Sequence, residues 1–192
     1  MRIIAGKYKR KKLVTLAGSD ITRPTSDRVK ESVFNILQDK IADICVLDLY
    51  SGCGALGFEA LSRGAKNIIL VEENKCAIDC IKMNLNSLHL EKDNCQIFHG
   101  KVSEFLNPLK NHSKNLKGKV DLIFADPPYN TAWYTNALKE IEASGICHNK
   151  CLVVLEMPLQ ANVLAGEKWL QVENRKYGKT KIEIWSRECE EI

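Results

Sequence analysis

The sequence predicts an α/β fold, a mostly parallel sheet of seven strands with helices on both faces. Two observations carry that prediction. Short apolar runs without alternation recur as ICVLDLY (44–50), NIILVEE (67–73), CQIFHG (95–100), KVDLIFADPPY (119–129) and KCLVVLEM (150–157). Runs of this kind mark strands buried on both faces of a parallel sheet. Segments with helical spacing of apolar residues lie between them, so strand and helix alternate from residue 44 to about 157, the pattern of a doubly wound sheet.

The elements follow in order. RIIAG, a basic turn and KLVTL read as a short N-terminal β-hairpin. Thr25, Ser26 or Asp27 can cap a helix running to about residue 40, with Val29, Val33, Phe34, Ile36, Leu37 and Ile41 on one stripe. SGCG after the first strand opens a helix through ALGFEALSRG that Gly64 stops. Residues 74–89 form a helix with Ile78, Ile81, Leu85 and Leu88 on one face. VSEFLNPL is a short helix or turn, and residues 107–119 are a polar basic loop. A helix near 131–144 precedes the fifth strand, and two strands near 168–176 and 180–186 are joined by Tyr177-Gly178-Lys179. The whole chain, 1–192, is expected to be a single domain. Residues 1–42 are its basic hairpin-and-helix extension and 43–192 its Rossmann-like core.

Composition narrows the classes of function. The 192 residues carry 28 Lys plus Arg against 24 Asp plus Glu. No run approaches the length of a membrane span, and the N-terminus has no apolar signal region. A cytoplasmic protein with no membrane partner is therefore expected. Residues 1–30 hold Arg2, Lys7, Lys9, Arg10, Lys11, Lys12, Arg23, Arg28 and Lys30 against Asp20 and Asp27, so a +7 arm sits on a −3 body. That asymmetry fits a polyanionic partner, since cations near phosphates release counterions; a solvated terminus is the other reading. The eight cysteines form no C-x-x-C pair, and His89, His99, His112 and His148 do not cluster. Reduced thiols used as small hydrophobes and no metal are expected. The lysines of 107–119 fit a solvated loop or an extension of an RNA surface.

Two motifs carry chemistry. Gly52, Gly54 and Gly57 form G-x-G-x-x-G between a strand and a helix, with Ser51 before them and Glu72 at the end of the next strand. The glycines allow a tight turn on which a ligand lies against bare backbone, and the acid can accept both ribose hydroxyls of a nucleoside. The loop alone does not separate NAD from S-adenosylmethionine. Asp48, just upstream, favours the second, because an acid there suits a cationic ligand rather than a pyrophosphate. Asp126-Pro127-Pro128-Tyr129 then ends the fourth strand. Two prolines remove two N–H donors, leaving the Asp126 carboxylate and nearby carbonyls as acceptors and Tyr129 as a stacking face. An exocyclic amine on a planar base would donate one hydrogen to Asp126 and one to the Pro127 carbonyl. Its lone pair, drawn out of conjugation, could attack an electrophilic methyl by positioning and electrostatics alone. The base must leave its stack to arrive. Trp133 and Tyr134 fit either a wall of this pocket or the core.

The chain resembles the bacterial 16S ribosomal RNA (guanine-966-N2)-methyltransferases over nearly its whole length. The similar segments are MRIIAGKYKRKKL, RPTSDRVKESVFN (23–35), DLYSGCGALGFEALSRGA (48–65), DPPY and RKYGKT (175–180). The resemblance implies a class I methyltransferase fold, S-adenosylmethionine as cofactor and one guanine of 16S ribosomal RNA as target, in an assembled or assembling 30S particle. It implies catalysis by Asp126, Pro127, Pro128 and Tyr129. It also implies cofactor contacts from Asp48, Ser51, Gly52, Gly54, Gly57, Glu72 and Asp126, and a monomer. Arg23, Thr25 and Arg28 would lie near the site's mouth, and Lys7, Lys9, Arg10, Lys11 and Lys12 would grip phosphates. One stretch departs from the wider pattern. Where an Asp or Asn often accepts the adenine amino hydrogen, this chain has His99-Gly100-Lys101-Val102. Lysine cannot accept it, so backbone around Lys101 and Val102 must.

A DNA adenine N6-methyltransferase shares the tetrapeptide logic but usually needs a target-recognition domain for which this chain has no room. An NAD-binding oxidoreductase leaves DPPY unexplained. A nucleic-acid-binding protein without catalysis leaves both motifs unexplained.

Overall fold

Seven strands and five α-helices make up the described part of the chain. The computed structural model describes residues 1–16, 27–90, 92–110, 114–128 and 133–188. The strands are β1 (Cys45–Leu49), β2 (Asn67–Glu72), β3 (Cys95–His99), β4 (Val120–Ala125), β5 (Cys147–Pro158), β6 (Trp169–Tyr177) and β7 (Thr180–Arg187), in the order β3-β2-β1-β4-β5-β7-β6, and the predicted α/β class with a mostly parallel seven-stranded sheet is what is found. The chain divides into two compact units, Met1–Lys101 and Val102–Ile192.

In the first unit, β1 (Cys45–Leu49), β2 (Asn67–Glu72) and β3 (Cys95–His99) are parallel neighbours, with Leu47 opposite Ile69 and Leu70 opposite Ile97. The interiors of β1 and β2 are buried on both faces, which explains why they are apolar throughout apart from Asp48. Helix α2 (Ala55–Ser62) packs on β1 and β2, and α3 (Lys75–Ser87) on β2 and β3. Asn74 caps α3 by accepting from the N–H groups of Cys76 at 2.9 Å and Ala77 at 3.2 Å. Helix α1 (Asp27–Ile36) stops four residues earlier than its stripe predicts. A 3-10 turn at Gln38–Lys40 follows, and it still buries Leu37 and Ile41 on either side.

The N-terminal hairpin is shorter than expected. Its pairing reduces to a bridge between Arg2 and Lys12, with Ile3 N–H donating to Lys11 O and Leu13 N–H to Met1 O. The reason is competition for donors. The N–H groups of Ile4 and Ala5 go to the Glu59 carboxylate, and those of Lys7 and Tyr8 go to the Ser62 carbonyl and hydroxyl. Gly6 takes φ +80 where a Cβ would lie 1.8 Å from the Ser62 carbonyl oxygen, so the arm lies directly on the backbone of α2.

In the second unit, α4 (Val102–Phe105) leads to β4 (Val120–Ala125), which pairs in parallel with β5 (Cys147–Pro158). Helix α5 (Trp133–Ser144) packs on β5 through a buried face that includes Ala137, Leu138 and Ile141. Strands β6 (Trp169–Tyr177) and β7 (Thr180–Arg187) are antiparallel, and β7 lies antiparallel to β5. Strand β5 starts three residues before its predicted start, because Cys147 pairs with Val120 ahead of an irregularity that restores register at Leu152. Cys80, Cys95, Cys147 and Cys151 are buried free thiols. Burial pushes the Cys95 thiol up to about 12. Among the described residues no helix is long and apolar enough to cross a membrane.

Candidate active site

The first unit builds a glycine loop at the carboxyl end of β1. Tyr50, Gly52 and Gly54 turn the chain with φ of +60, +55 and +80. Positive φ at a tyrosine is uncommon and marks a strained position. Ser51 ties the loop to β2, its N–H donating to Val71 O at 3.0 Å and its hydroxyl to the same oxygen at 3.2 Å. The three glycines do different jobs. A Cβ on Gly52 would meet nothing within 4 Å, so the space over that backbone is open. A Cβ on Gly54 would lie 2.7 Å from the Phe58 ring, and one on Gly57 2.4 Å from Leu70 Cδ2. Those two let α2 close on the core.

Two carboxylates face the loop. Asp48 is 2% exposed, and its Oδ2 accepts from Gly57 N–H at 3.0 Å. Burial pushes its pKa from an ordinary 3.8 to about 7; the Gly57 bond works against this, and the charge of Glu72 adds to it. Glu72, half-buried, accepts from Gly52 N–H at 2.8 Å on one oxygen and from Asn74 N–H at 2.8 Å on the other. Each of its oxygens keeps a second lone pair. Gly100 N–H donates to Glu72 O at 2.9 Å, which brings the end of β3 beside that acid. Lys101 is exposed just beyond it. Val102 is buried at the start of α4 in the second unit.

The second unit delivers Asp126 and Pro127 from the carboxyl end of β4. Asp126 is half-buried, Pro127 buried and Pro128 exposed. The Tyr134 hydroxyl, in the first turn of α5, donates to the Pro127 carbonyl at 3.1 Å, and Tyr134 is 4% exposed. Trp133 Nε1 donates to Glu140 along the same helix at 2.8 Å. Tyr129 lies outside the described residues, as do Arg23 and Thr25.

The basic side chains of the arm are displayed on a docked scaffold. Lys7, Lys9, Arg10, Lys11, Lys12 and Arg28 are all exposed. Beneath them Glu59, fully buried, pairs with Lys30 Nζ at 3.4 Å and Arg63 Nε at 2.8 Å, and Lys30 also donates to Arg2 O. Burial lowers the Lys30 pKa, with the Glu59 charge the main opposing influence. Sequence reasoning missed this cluster. The available signal was Glu59 standing among Phe58, Ala60 and Leu61 on a short helix. It also missed Asn84 on α3, whose side chain accepts from Val14 N–H at 2.7 Å and donates to the Val14 and Cys53 carbonyls at 3.0 Å. Asn84 thereby links the end of the arm to the glycine loop. Among the described residues no cluster of His, Cys, Asp or Glu could hold a metal ion.

Known proteins place the chain in a family. It is 31% identical to Ribosomal RNA small subunit methyltransferase D of Haemophilus influenzae, over 93% of this chain and 89% of that one. It is 28% identical to the Escherichia coli protein of the same name, over 99% and 91%. The solved structure of the Escherichia coli protein yhhF is similar with a TM-score of 0.85 at 28% identity, covering 99% of each chain. SMU.776, solved in complex with SAH, has a TM-score of 0.68 over 82% of this chain and 49% of that one. At 15% identity that likeness is one of fold alone. The family model described as Conserved hypothetical protein 95 matches residues 1–186, and the chain belongs to that family.

Proposed function

We propose that this protein transfers the methyl group of S-adenosylmethionine to the exocyclic N2 amine of a specific guanine in 16S ribosomal RNA, position 966 by its resemblance, within the small ribosomal subunit or its assembly intermediate. The observation that carries the reading is Asp126-Pro127-Pro128 at the carboxyl end of β4. It is a set of acceptors without proline N–H groups, where open α/β sheets bind ligands. The relatives named as ribosomal RNA small subunit methyltransferases support it, as does the SAH bound by a protein of this fold.

The glycine loop supports the cofactor. Asp48 occupies Gly57 N–H, a donor that a pyrophosphate would need at the start of α2, and Glu72 adds a second negative charge. That field suits a sulfonium and an ammonium and opposes the phosphates of NAD. Ser51, Gly52, Gly54 and Gly57 shape the loop, Glu72 takes the ribose, and backbone at Lys101 and Val102 takes the adenine. When bound, S-adenosylmethionine supplies an electrophilic methyl. Asp126 and the Pro127 carbonyl would hold the guanine amine by its two hydrogens and so leave its lone pair free of the ring. The amine becomes acidic as it is alkylated, and Asp126 or water takes the proton. Tyr129 stacks on the base. Lys7, Lys9, Arg10, Lys11, Lys12, Arg23, Thr25 and Arg28 hold the RNA, without metal and as a monomer.

The test is transfer of tritiated methyl from S-adenosylmethionine to unmodified 30S particles. The wild type labels them and Asp126→Ala lowers the rate by a factor of about 100–1,000, the range for losing a principal electrostatic contact. Labelling of duplex DNA in place of particles would reject the reading.

A further inference from the structure

Loss of two donors at Pro127 and Pro128 creates a positioning problem. Neither residue has an N–H with which to anchor the turn, yet the Pro127 carbonyl must point at one hydrogen of the target amine. Misplacement by about 1 Å can cost about a hundredfold in such a reaction. Tyr134 is the group placed to solve it. Its hydroxyl reaches the Pro127 oxygen at 3.1 Å, and since that oxygen only accepts, the phenol is the donor. The helix bearing it is held firmly. Ala137, Leu138 and Ile141 are fully buried beneath it, Trp133 is bonded to Glu140, and Leu164 N–H donates to Thr135 O at 3.0 Å.

We propose that Tyr134 is a positioning residue for methyl transfer, fixing the Pro127 carbonyl by one lone pair so that the other is directed at the exocyclic amine. The proposal rests on the methyltransferase reading and extends it to a residue beyond the tetrapeptide. A carbonyl oxygen has two acceptor sites, so the phenol and the amine occupy it together. A phenol supplied by a packed helix also holds its direction better than water or a loop group. The competing account is that the phenol merely finds a partner because it is buried. The two differ in what removal of the oxygen does to the chemical step.

The experiment compares wild type and Tyr134→Phe, which keeps the ring and its packing. Single-turnover methyl transfer to unmodified 30S particles is measured at saturating S-adenosylmethionine. Cofactor affinity, particle affinity and the unfolding midpoint are measured in parallel. The expected result is a single-turnover rate about tenfold lower, the scale of one lost hydrogen bond in the transition state, with both affinities unchanged and the midpoint lowered by no more than one hydrogen bond accounts for. An unchanged rate overturns the proposal while leaving the methyltransferase reading intact. A rate that falls only in step with cofactor affinity and midpoint overturns it in favour of packing. If the wild type transfers no methyl to the particles, the functional reading fails and this proposal with it.

Discussion

Gly52 is the position in the motif where the proposed ligand role can be tested apart from folding. Its backbone turns at φ +55 into open space, whereas Gly54 and Gly57 face Phe58 and Leu70. In Gly52→Ala the added methyl meets no protein atom, and the left-handed backbone costs roughly 1–2 kcal/mol. The variant is expected to stay folded while its affinity for S-adenosylmethionine, read by calorimetry, falls at least about tenfold through collision with a ligand lying on the loop. Unchanged affinity would move the cofactor elsewhere. Asp48 gives a second test through pH. Its native pKa of about 7 lies above the ordinary 3.8 because the site is buried, so the folded state holds this proton more tightly than the unfolded one. The group costs nothing below about pH 4. Its cost grows as pH rises from there to about 7 and is full above that, on the order of a few kcal/mol. Asp48→Asn keeps an acceptor for Gly57 N–H and removes the titration. Its unfolding free energy, measured by denaturant between pH 4.5 and 8, should fall less steeply with pH than that of the wild type.

At the scale of elements, the basic arm depends on one buried acid. Glu59 on α2 accepts from Ile4 and Ala5 and pairs with both Lys30 and Arg63. Glu59→Gln would strand a buried lysine, which costs roughly 3–5 kcal/mol. A denaturant midpoint lowered to match, with faster amide exchange at Ile4 and Ala5, is the expected outcome; an unchanged midpoint would mean the arm is held otherwise. Local pattern offers only Glu59 among apolar neighbours, because every partner in the cluster except Arg63, four residues on, lies 28 to 55 residues away. The elements themselves were legible for the opposite reason. Strands buried on both faces write their burial directly into runs such as NIILVE, and glycine loops write their turns into sequence. What stayed hidden was set by long-range competition for donors. The hairpin shrank to one bridge because Glu59 and Ser62 took its N–H groups. Tyr134 fits either a pocket wall or the core in sequence; in the structure it is buried and its hydroxyl donates to the Pro127 carbonyl. The glycine loop and its acid could be read in the sequence, but that Asp48 secures Gly57 rather than facing outward could not.

For the whole molecule, the proposal makes the basic arm the surface that holds the RNA. The exposed cations Lys7, Lys9, Arg10, Lys11 and Lys12 stand on a docked backbone, so the backbone's ordering cost falls on folding and only the side chains are left to order on binding. Each phosphate contact contributes about 0.7–0.9 to the slope of log affinity against log salt. Lys9→Ala combined with Lys11→Ala and Lys12→Ala should weaken 30S binding and lower that slope by about 2, while calorimetric affinity for S-adenosylmethionine stays as in the wild type. An unaltered slope would make the arm a solvated surface. The most direct measurement is nucleoside mass spectrometry of 16S ribosomal RNA from unmodified 30S particles incubated with the protein and S-adenosylmethionine. The account predicts one N2-methylguanine per particle, absent with Asp126→Ala. Methyl found on adenine N6, or no methylated nucleoside at all, would contradict it.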